Sequence, residues 1–351
     1  MMNLRGVNYG PVLDASGVRN FHKRGYPYHY LFSLFGLRFR GSSFVTKTTT
    51  LLAREGNMPL RDDGVTPKEL IPRCIIRKEK QKVVLNAVSL SGKGLEFYIN
   101  AGWWQKFTEP FQISVMSLAP TAEGRRAELG GIFSRLAAAK RFERFRADWG
   151  VQVNLSCPNG GLDPNALVEE AIPVLGLAEK ELPESVSVTL KFGPEVHPES
   201  MVRVSKHPRL DALCVFNTLP FGKQPTWIRK SNPVDWKGLF GTDDPKESPI
   251  AKRFPGFAGG LSGAPLRPFL CEWLERVRLL GVTIPIIAGG GLLSGEDAGF
   301  AFDAGADAVS FGSIAMLAPT KVASAIRGAH WYAKEFSRKP VLHERALEYN
   351  V

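Results

Sequence analysis

The chain contains 351 residues, of which 44% are hydrophobic and 23% are charged, and its formal net charge at pH 7 is +11. This is the composition of an ordinary globular protein, and no stretch approaches the roughly 20 consecutive apolar residues of a membrane span. The positive charges are scattered rather than gathered into a basic run, which favours anionic small molecules over nucleic acid.

The N-terminus has no signal-peptide core, which predicts a cytoplasmic protein. The chain contains four cysteines: Cys74, Cys157, Cys214 and Cys271. None of them shows the C-x-x-C spacing that zinc sites and iron–sulfur clusters commonly use, so we expect no metal bound by this chain alone. Their spacing does not resemble a disulfide framework either, which also favours a reducing cytosol.

Short apolar segments alternate with helical patterns along the chain, which is the signature of repeated βα units. Barrel strands are predicted near residues 11–17, 43–48, 111–116, 150–154, 186–192, 211–217, 284–288 and 308–312. Helices are predicted in part of 20–38 and at 95–106, 122–142, 164–182, 266–280, 296–304 and 320–336. Eight strands alternating with helices is the count of a (β/α)8 or TIM barrel, an α/β fold of typically about 250 residues.

Two segments fall outside this alternation. Residues 74–76 and 83–88 flank a charged stretch at 77–82, which predicts a hairpin outside the barrel. Residues 219–260 are rich in Pro, Gly, Lys and Trp and show no periodicity, which is typical of a functional lid or an insertion. We therefore predict a single barrel domain over 1–351, with an additional outer hairpin and a long loop insertion at about 219–260.

Glycines gather where the last two predicted strands end. Gly289, Gly290 and Gly291 precede a predicted helix, and Gly312 with Ser313 follows the next strand. Glycines let backbone N–H groups approach a phosphate, and a helix N-terminus favours negative charge. Because barrels commonly bind phosphate after strands seven and eight, this pattern favours a phosphate site over ordinary tight turns.

Polar side chains also mark the predicted strand ends. Lys47 and Lys191 lie near two such ends, where a lysine either is solvated at the rim or stabilises a bound anion such as a reduced cofactor ring. Four asparagines are placed similarly: Asn86, Asn154, Asn159 and Asn217. Each amide offers two donors and an acceptor, so four that converge would suit a planar ring edged with N–H and C=O groups.

The segment Asn154-Leu155-Ser156-Cys157-Pro158-Asn159 crowds two amides, a hydroxyl and a thiol into one strand end. The thiol of Cys157 is the only strong nucleophile or base among them. A free thiol has a pKa of about 8.5, so a catalytic base there would need thiolate character or a driven proton transfer. The pattern alone favours a small buried residue at Cys157 over a catalytic base.

Together these segments resemble the dihydroorotate dehydrogenase family, the flavin barrels of pyrimidine biosynthesis, over about residues 10–320. Residues 154–159 are similar to the catalytic loop of the soluble class 1 enzymes, in which cysteine is the base; the membrane-associated class 2 enzymes carry serine there and an N-terminal helical extension. Residues 46–57 are similar to the class 1 segment with the flavin-contacting lysine. Residues 216–218 match the family's Asn-Thr pair, and residues 259–263 match its flavin loop.

The resemblance implies an enzyme that uses FMN to oxidise (S)-dihydroorotate to orotate. Cys157 would take the C5 proton of the substrate while a hydride leaves C6 for flavin N5, and Lys47 would stabilise the reduced flavin. The implied FMN contacts are Ala15, Ser16, Gly17, Lys47, Thr48, Asn154, Lys191, Gly263, Gly290, Gly291, Gly312 and Ser313. The implied substrate contacts are Asn86, Ser89, Leu90, Asn154, Asn159, Asn217 and Thr218.

The sequence departs from the family pattern on the substrate side. Ser89-Leu90-Ser91-Gly92-Lys93-Gly94 stands where the family has roughly Gly-Leu-Pro-Asn-x-Gly. A side chain is therefore added at residue 89, near the expected position of the ring or its carboxylate. The loop after Asn159 also differs, because it reads Gly-Gly-Leu-Asp-Pro.

Three other functions stay open: a flavin-dependent oxidoreductase of another dihydropyrimidine or a cyclic enone, a non-catalytic barrel for a phosphorylated ligand, and an RNA-binding flavoprotein that reduces uridine in tRNA. No RNA-binding module is recognisable, which disfavours the last. The electron acceptor is open among fumarate, a quinone and NAD; NAD would require an iron–sulfur flavoprotein partner. We expect a small dihydropyrimidine substrate and neither nucleic acid nor membrane, and the resemblance allows a homodimer.

Overall fold

The structure is a computed structural model that describes residues 2–156 and 168–336. Its strands are β1 Asn3–Leu4, β2 Val7–Asn8, β3 Val12–Asp14, β4 Phe44–Val45, β5 Ile75–Lys78, β6 Val83–Asn86, β7 Phe111–Val115, β8 Trp149–Asn154, β9 Val188–Phe192, β10 Ala212–Val215, β11 Leu219–Pro220, β12 Gly260–Gly263, β13 Ile286–Gly289 and β14 Ala308–Phe311.

The α-helices in the described part of the chain are α1 Pro27–Ser33, α2 Leu95–Asn100, α3 Ala122–Phe142, α4 Ala171–Glu181, α5 Pro198–Val204, α6 Trp236–Phe240, α7 Arg267–Leu279, α8 Gly295–Asp303, α9 Ile314–Leu317 and α10 Val322–Phe336. Short 3-10 helices cover Trp104–Lys106, Pro245–Glu247, Ala264–Leu266 and Pro319–Lys321. None of the helices within residues 2–156 and 168–336 is long and apolar enough to cross a membrane.

Eight parallel strands form the central sheet, in the order β3-β14-β13-β10-β9-β8-β7-β4. Backbone hydrogen bonds join its two edge strands: Ser43 N donates to the Val12 carbonyl and Asp14 N donates to the Ser43 carbonyl, both at 2.9 Å. These bonds close the sheet into a barrel. The predicted (β/α)8 fold is therefore confirmed.

The barrel strands are buried on both faces, and the polar side chains of Gln112, Gln152 and Thr189 among them hydrogen-bond one another. Every residue of β7, β8 and β9 is buried, as expected for parallel strands between a packed interior and outer helices. Helix α3 covers part of the outside with Leu129, Ile132, Phe133 and Leu136, and it begins where the Thr121 side chain accepts a hydrogen bond from Gly124 N.

A second, antiparallel sheet stands at the C-terminal end of the barrel. The predicted outer hairpin is confirmed as β5 and β6, and β12 and β11 extend it to four strands in the order β11-β12-β6-β5. The two added strands come from the two ends of the segment at 219–260. Through this sheet, the insertion and the hairpin build one wall above the barrel.

The rest of the insertion is anchored to the barrel. Trp227, Trp236 and Ile250 are buried in it. The Glu272 carboxylate of α7 accepts hydrogen bonds from three successive backbone amides at residues 229–231. The hydrogen bonds lower the pKa of Glu272 although its burial acts in the opposite direction. The carboxylate therefore stays ionised and fixes this part of the insertion to α7.

An N-terminal hairpin, β1 and β2, precedes the barrel and was not predicted. Its strands of two residues each are too short to show an alternating pattern. Leu4 and Tyr9 pack with Leu13, Cys214 and their buried neighbours in a small cluster separate from the main core. The hairpin therefore closes the end of the barrel opposite the strand ends that carry the predicted site.

Candidate active site

A cavity of about 440 Å³ lies at the C-terminal ends of the barrel strands. Its lining residues follow or end strands β3, β4, β8, β9, β10, β13 and β14, and the second sheet contributes the wall after β6. Barrels of this kind place their chemistry at this end, because the loops after the strands can vary without disturbing the packed interior.

The cavity brings together most of the predicted site residues. Of the predicted FMN contacts, it is lined by Ala15, Ser16, Gly17, Lys47, Thr48, Asn154, Lys191, Gly290, Gly291, Gly312 and Ser313. Of the predicted substrate contacts, it is lined by Asn86, Ser89, Leu90, Asn154, Asn217 and Thr218. Cys157 and Asn159 lie outside the described residues. Gly263 does not line the cavity, and Ser262 of the same strand does.

Lys47 is buried at the bottom of this cavity with only 6% of its surface exposed. Its ammonium group donates a hydrogen bond to the Ser91 carbonyl and lies 5.0 Å from the centre of the Phe21 ring. No described carboxylate pairs with it. Because burial disfavours the charged form, the pKa of Lys47 falls to about 7 from its ordinary value of 10.5.

Lys191 is a second buried lysine on the same cavity. It lies on β9, where it is the register partner of Asn154 on β8. Its side chain makes no hydrogen bond or ion pair with a residue of 2–156 or 168–336, and burial lowers its pKa. Two buried lysines without carboxylate partners favour a bound anion. The negative charge of the anion would stabilise the protonated form of the lysines, which burial disfavours.

Asn154, Ser156 and Asn217 form a small hydrogen-bonded group on the cavity wall. Oδ1 of Asn154 accepts from Ser156 N at 3.1 Å and from Ser156 Oγ at 2.8 Å. Nδ2 of Asn217 donates to the Ser156 carbonyl at 2.9 Å. Nδ2 of Asn154 and Oδ1 of Asn217 have no partner among the described residues, so a donor and an acceptor are presented together.

Ser156 was not among the predicted site residues, although it stands in the segment that was singled out. The structure shows that it connects the two asparagines and itself lines the cavity. A second hydroxyl group joins Ser16, Thr48 and Ser114: Ser16 Oγ lies 2.9 Å from Thr48 Oγ1, which lies 2.9 Å from Ser114 Oγ. The sequence showed only that Ser16 and Thr48 follow separate strands.

The glycine loops place Gly291 and Gly312 close to neighbouring atoms. Gly290 and Gly291 have φ of +127° and +78°. A Cβ atom on Gly291 would lie 2.6 Å from Arg267 N and 2.9 Å from the Gly263 carbonyl oxygen, and one on Gly312 would lie 3.1 Å from Ala15 Cβ. A side chain at Gly291 would therefore collide with neighbouring backbone, and one at Gly312 would be crowded by Ala15.

The loop after β6 forms another part of the wall. Ser89 and Leu90 both have left-handed backbone, with φ of +58° and +57°. The backbone amides of Ser89, Leu90 and Ser91 donate to no acceptor within the described ranges. Successive amides in a turn can converge on an anion, so this loop offers a second place for negative charge in the cavity.

The fold and this cavity define a (β/α)8 barrel with two buried lysines on a cavity at its C-terminal strand ends. The sequence profile of the family described as "Dihydroorotate dehydrogenase" matches residues 2–329. The chain therefore belongs to the dihydroorotate dehydrogenase family, whose members are flavin-dependent oxidoreductases. The resemblance found in the sequence is confirmed.

Curated relatives carry the name "Dihydroorotate dehydrogenase B (NAD(+)), catalytic subunit". One from Endomicrobium trichonymphae is 28% identical over 97% of this chain and 94% of its own length. One from Bacillus thuringiensis is 29% identical over 88% of this chain and 83% of its own length. The crystal structure of the dihydroorotate dehydrogenase of Eimeria tenella in complex with ferulenol has a similar fold, with a TM-score of 0.62 at 18% identity, over 97% of this chain and 88% of that chain.

Proposed function

We propose that this protein uses FMN to oxidise (S)-dihydroorotate to orotate in pyrimidine biosynthesis. One observation carries the proposal within the family: Lys47 and Lys191 are both buried without a described carboxylate partner on a cavity that Asn154 and Asn217 also line. The lysines suit an anionic cofactor and the amides suit a pyrimidine edge. A site for a neutral apolar ligand would not bury two such cations.

The described residues fit FMN. The cavity of about 440 Å³ is within the range of cofactor sites, about 300–1,000 Å³. The backbone at Gly290, Gly291, Gly312 and Ser313 would hold the phosphate, because the absence of Cβ atoms at the glycines allows close approach. The buried lysines would hold negative charge at the polar edge of the ring, beside the hydroxyls of Ser16 and Thr48. When bound, FMN supplies the hydride acceptor.

The chain's own residues would bind the substrate and move its proton. Cys157, which is outside the described residues, would remove the C5 proton as a positioned base. Nδ2 of Asn154 and Oδ1 of Asn217 would pair with a carbonyl and an N–H group of the pyrimidine. The amides of residues 89–91 would bind its carboxylate. Burial of these groups would exclude water and strengthen each contact.

We also infer a partner subunit that accepts the electrons. The relatives are named as catalytic subunits, which implies a second subunit. Leu70 and Ile71 line the outer part of the cavity and are 78% and 79% exposed. A protein that covered these side chains would bring its own cofactor near the cavity, and an iron–sulfur flavoprotein would allow NAD to be the final acceptor.

The cofactor is tested on the purified protein. We expect yellow protein that releases FMN, and no other flavin, on denaturation. Flavin-free protein should take up FMN, and orotate should then perturb the flavin spectrum. A colourless protein that does not take up FMN would contradict the proposal. FMN binding without any response to orotate or dihydroorotate would favour another dihydropyrimidine or enone as the substrate.

A further inference from the structure

Ser89 combines three features on the wall after β6. It lines the cavity, it is 8% exposed, and its backbone is left-handed with φ of +58°. Residues with a Cβ atom rarely adopt this conformation, and glycine adopts it without cost. Leu90 follows with φ of +57°, so the loop holds two such residues in succession. Backbone strain of this kind persists where the surrounding structure imposes it. Strained residues are common at ligand-binding sites.

The surroundings do impose this conformation. Behind the loop, Met58 N donates to Ser91 Oγ at 3.0 Å and Asn57 N donates to the Val88 carbonyl at 3.1 Å. A Cβ atom on Gly56 would lie 2.8 Å from the carbonyl oxygens of Val88 and Ser89. On the other side, the Lys47 ammonium group holds the Ser91 carbonyl. The loop cannot relax, so a side chain at residue 89 must tolerate a backbone suited to glycine.

The Ser89 hydroxyl has no hydrogen-bond partner among residues 2–156 and 168–336. Its oxygen is not one of the fully enclosed polar atoms that lack a partner in the described part of the chain, so it remains accessible from the cavity that Ser89 lines. The hydroxyl is therefore available to donate to a ligand in the cavity, and the fixed backbone of the loop holds it there.

We propose that the Ser89 hydroxyl determines specificity by donating a hydrogen bond to the carboxylate of the bound dihydropyrimidine. This rests on the proposed function. The carboxylate is the one full charge of dihydroorotate, and the free amides of residues 89–91 with the nearby Lys47 ammonium make this wall the place for it. The added donor favours dihydropyrimidine carboxylates over uncharged analogues, such as the methyl ester of dihydroorotate.

The test compares Ser89→Ala, which keeps the Cβ atom, with Ser89→Gly, which removes it. In both variants we expect the KM for dihydroorotate and the Kd for orotate to rise about tenfold or more, the usual effect of losing a hydrogen bond to a charged group. The kcat should change by less than about threefold, because the contact is present before and after the reaction. The KM for the methyl ester should change much less than that for dihydroorotate.

Lys82 provides the matched control. It has left-handed backbone, with φ of +54°, in the turn between β5 and β6, its side chain is exposed, and it does not line the cavity. Lys82→Gly should raise the melting temperature as Ser89→Gly does, because both relieve left-handed strain. It should leave the KM and the orotate Kd unchanged.

Three results would overturn the inference. The Kd for orotate could be unchanged in both Ser89 variants, the loss could be equal for dihydroorotate and its ester, or only Ser89→Gly could weaken binding, which would assign the effect to backbone freedom. Failure of the proposed function looks different: wild-type protein would then show neither orotate binding nor flavin reduction by dihydroorotate, and both proposals would fall.

Discussion

Two regions of the cavity have left-handed backbone, one at glycines and the other at residues with side chains. After β13, Gly290 and Gly291 adopt it with no Cβ atom, and Gly291 has backbone neighbours so close that a side chain would collide with them. After β6, Ser89 and Leu90 adopt it with side chains present. At the first region sterics dictate the residue type. At the second the residue type opposes the local preference, and the contacts of residues 56–58 and of Lys47 impose the conformation.

Under the proposed function, the first region lies on the cofactor side of the cavity and the second lies on the substrate side. Gly291 can be explained without a ligand, because the neighbouring backbone of Arg267 and Gly263 excludes a side chain there. The wall at 88–92 and the segment at 154–156 present donors and acceptors that the described residues leave unpaired. Changes on the cofactor side should therefore affect FMN retention, and changes on the substrate side should affect the reaction with FMN still bound.

Replacement of Cys157 should have the largest effect. In Cys157→Ala we expect flavin reduction by dihydroorotate to slow by about 10²–10⁴-fold, the usual contribution of a general base. The FMN content should stay that of the wild type, because the thiol belongs to the substrate side. Rapid-mixing absorbance under anaerobic conditions measures the rate.

Cys271→Ala is the matched control for this change. Cys271 lies on α7, is partly exposed and does not line the cavity. Its replacement should leave the rate unchanged. If Cys157→Ala reduces its flavin at the wild-type rate, Cys157 is a packing residue and the base must be another group.

Gly291→Ala should produce the next effect, on cofactor binding. The added Cβ atom meets the backbone of Arg267 and Gly263 at a positive φ, so we expect FMN affinity to fall about 10- to 100-fold. Fluorescence titration of flavin-free protein measures it. Gly130→Ala in α3 is the control, because a Cβ atom there meets nothing within 4 Å. Equal FMN affinity in wild type and Gly291→Ala would remove the steric explanation of the loop.

The pH dependence of FMN binding should show a smaller effect. Since the pKa of Lys47 is about 7, its ammonium group is lost above that pH in the flavin-free protein, and an anion must restore the proton when it binds. The affinity for reduced FMN, whose ring is anionic, should therefore fall as pH rises, by about fivefold between pH 7 and 8. Lys47→Met should bind more weakly at pH 7 and lose most of this slope. An equal slope in both proteins would exclude Lys47 as the titrating group.

The fold was predictable from sequence where elements are long and periodic. Helix α3 has the predicted bounds of 122–142, because Thr121 caps its start and apolar residues recur along one face. The helix predicted at 95–106 instead ends at Asn100 and continues as a 3-10 turn, since Gly102 has a φ of +68°. The strands β11 and β12 were missed because pairing with β6 defines them, and that pairing joins distant segments.

The site residues were predictable where a residue type and its position at a strand end already indicate a function. The glycine loops and the polar strand ends could be recognised in the sequence, and the structure places them on one cavity. The role of Ser156 could not, because its bonds to Asn154 and Asn217 depend on the spacing of β8 and β10. Nor could the left-handed backbone of Ser89, which results from bracing by residues 56–58 and by Lys47.

The most direct test of the account is anaerobic addition of dihydroorotate to the FMN-loaded protein. We expect the flavin absorbance to bleach and orotate to form in an amount equal to the flavin reduced. An FMN-loaded protein whose absorbance does not change with dihydroorotate, but bleaches with another dihydropyrimidine, would contradict the assigned substrate and the role given to the wall at 88–92.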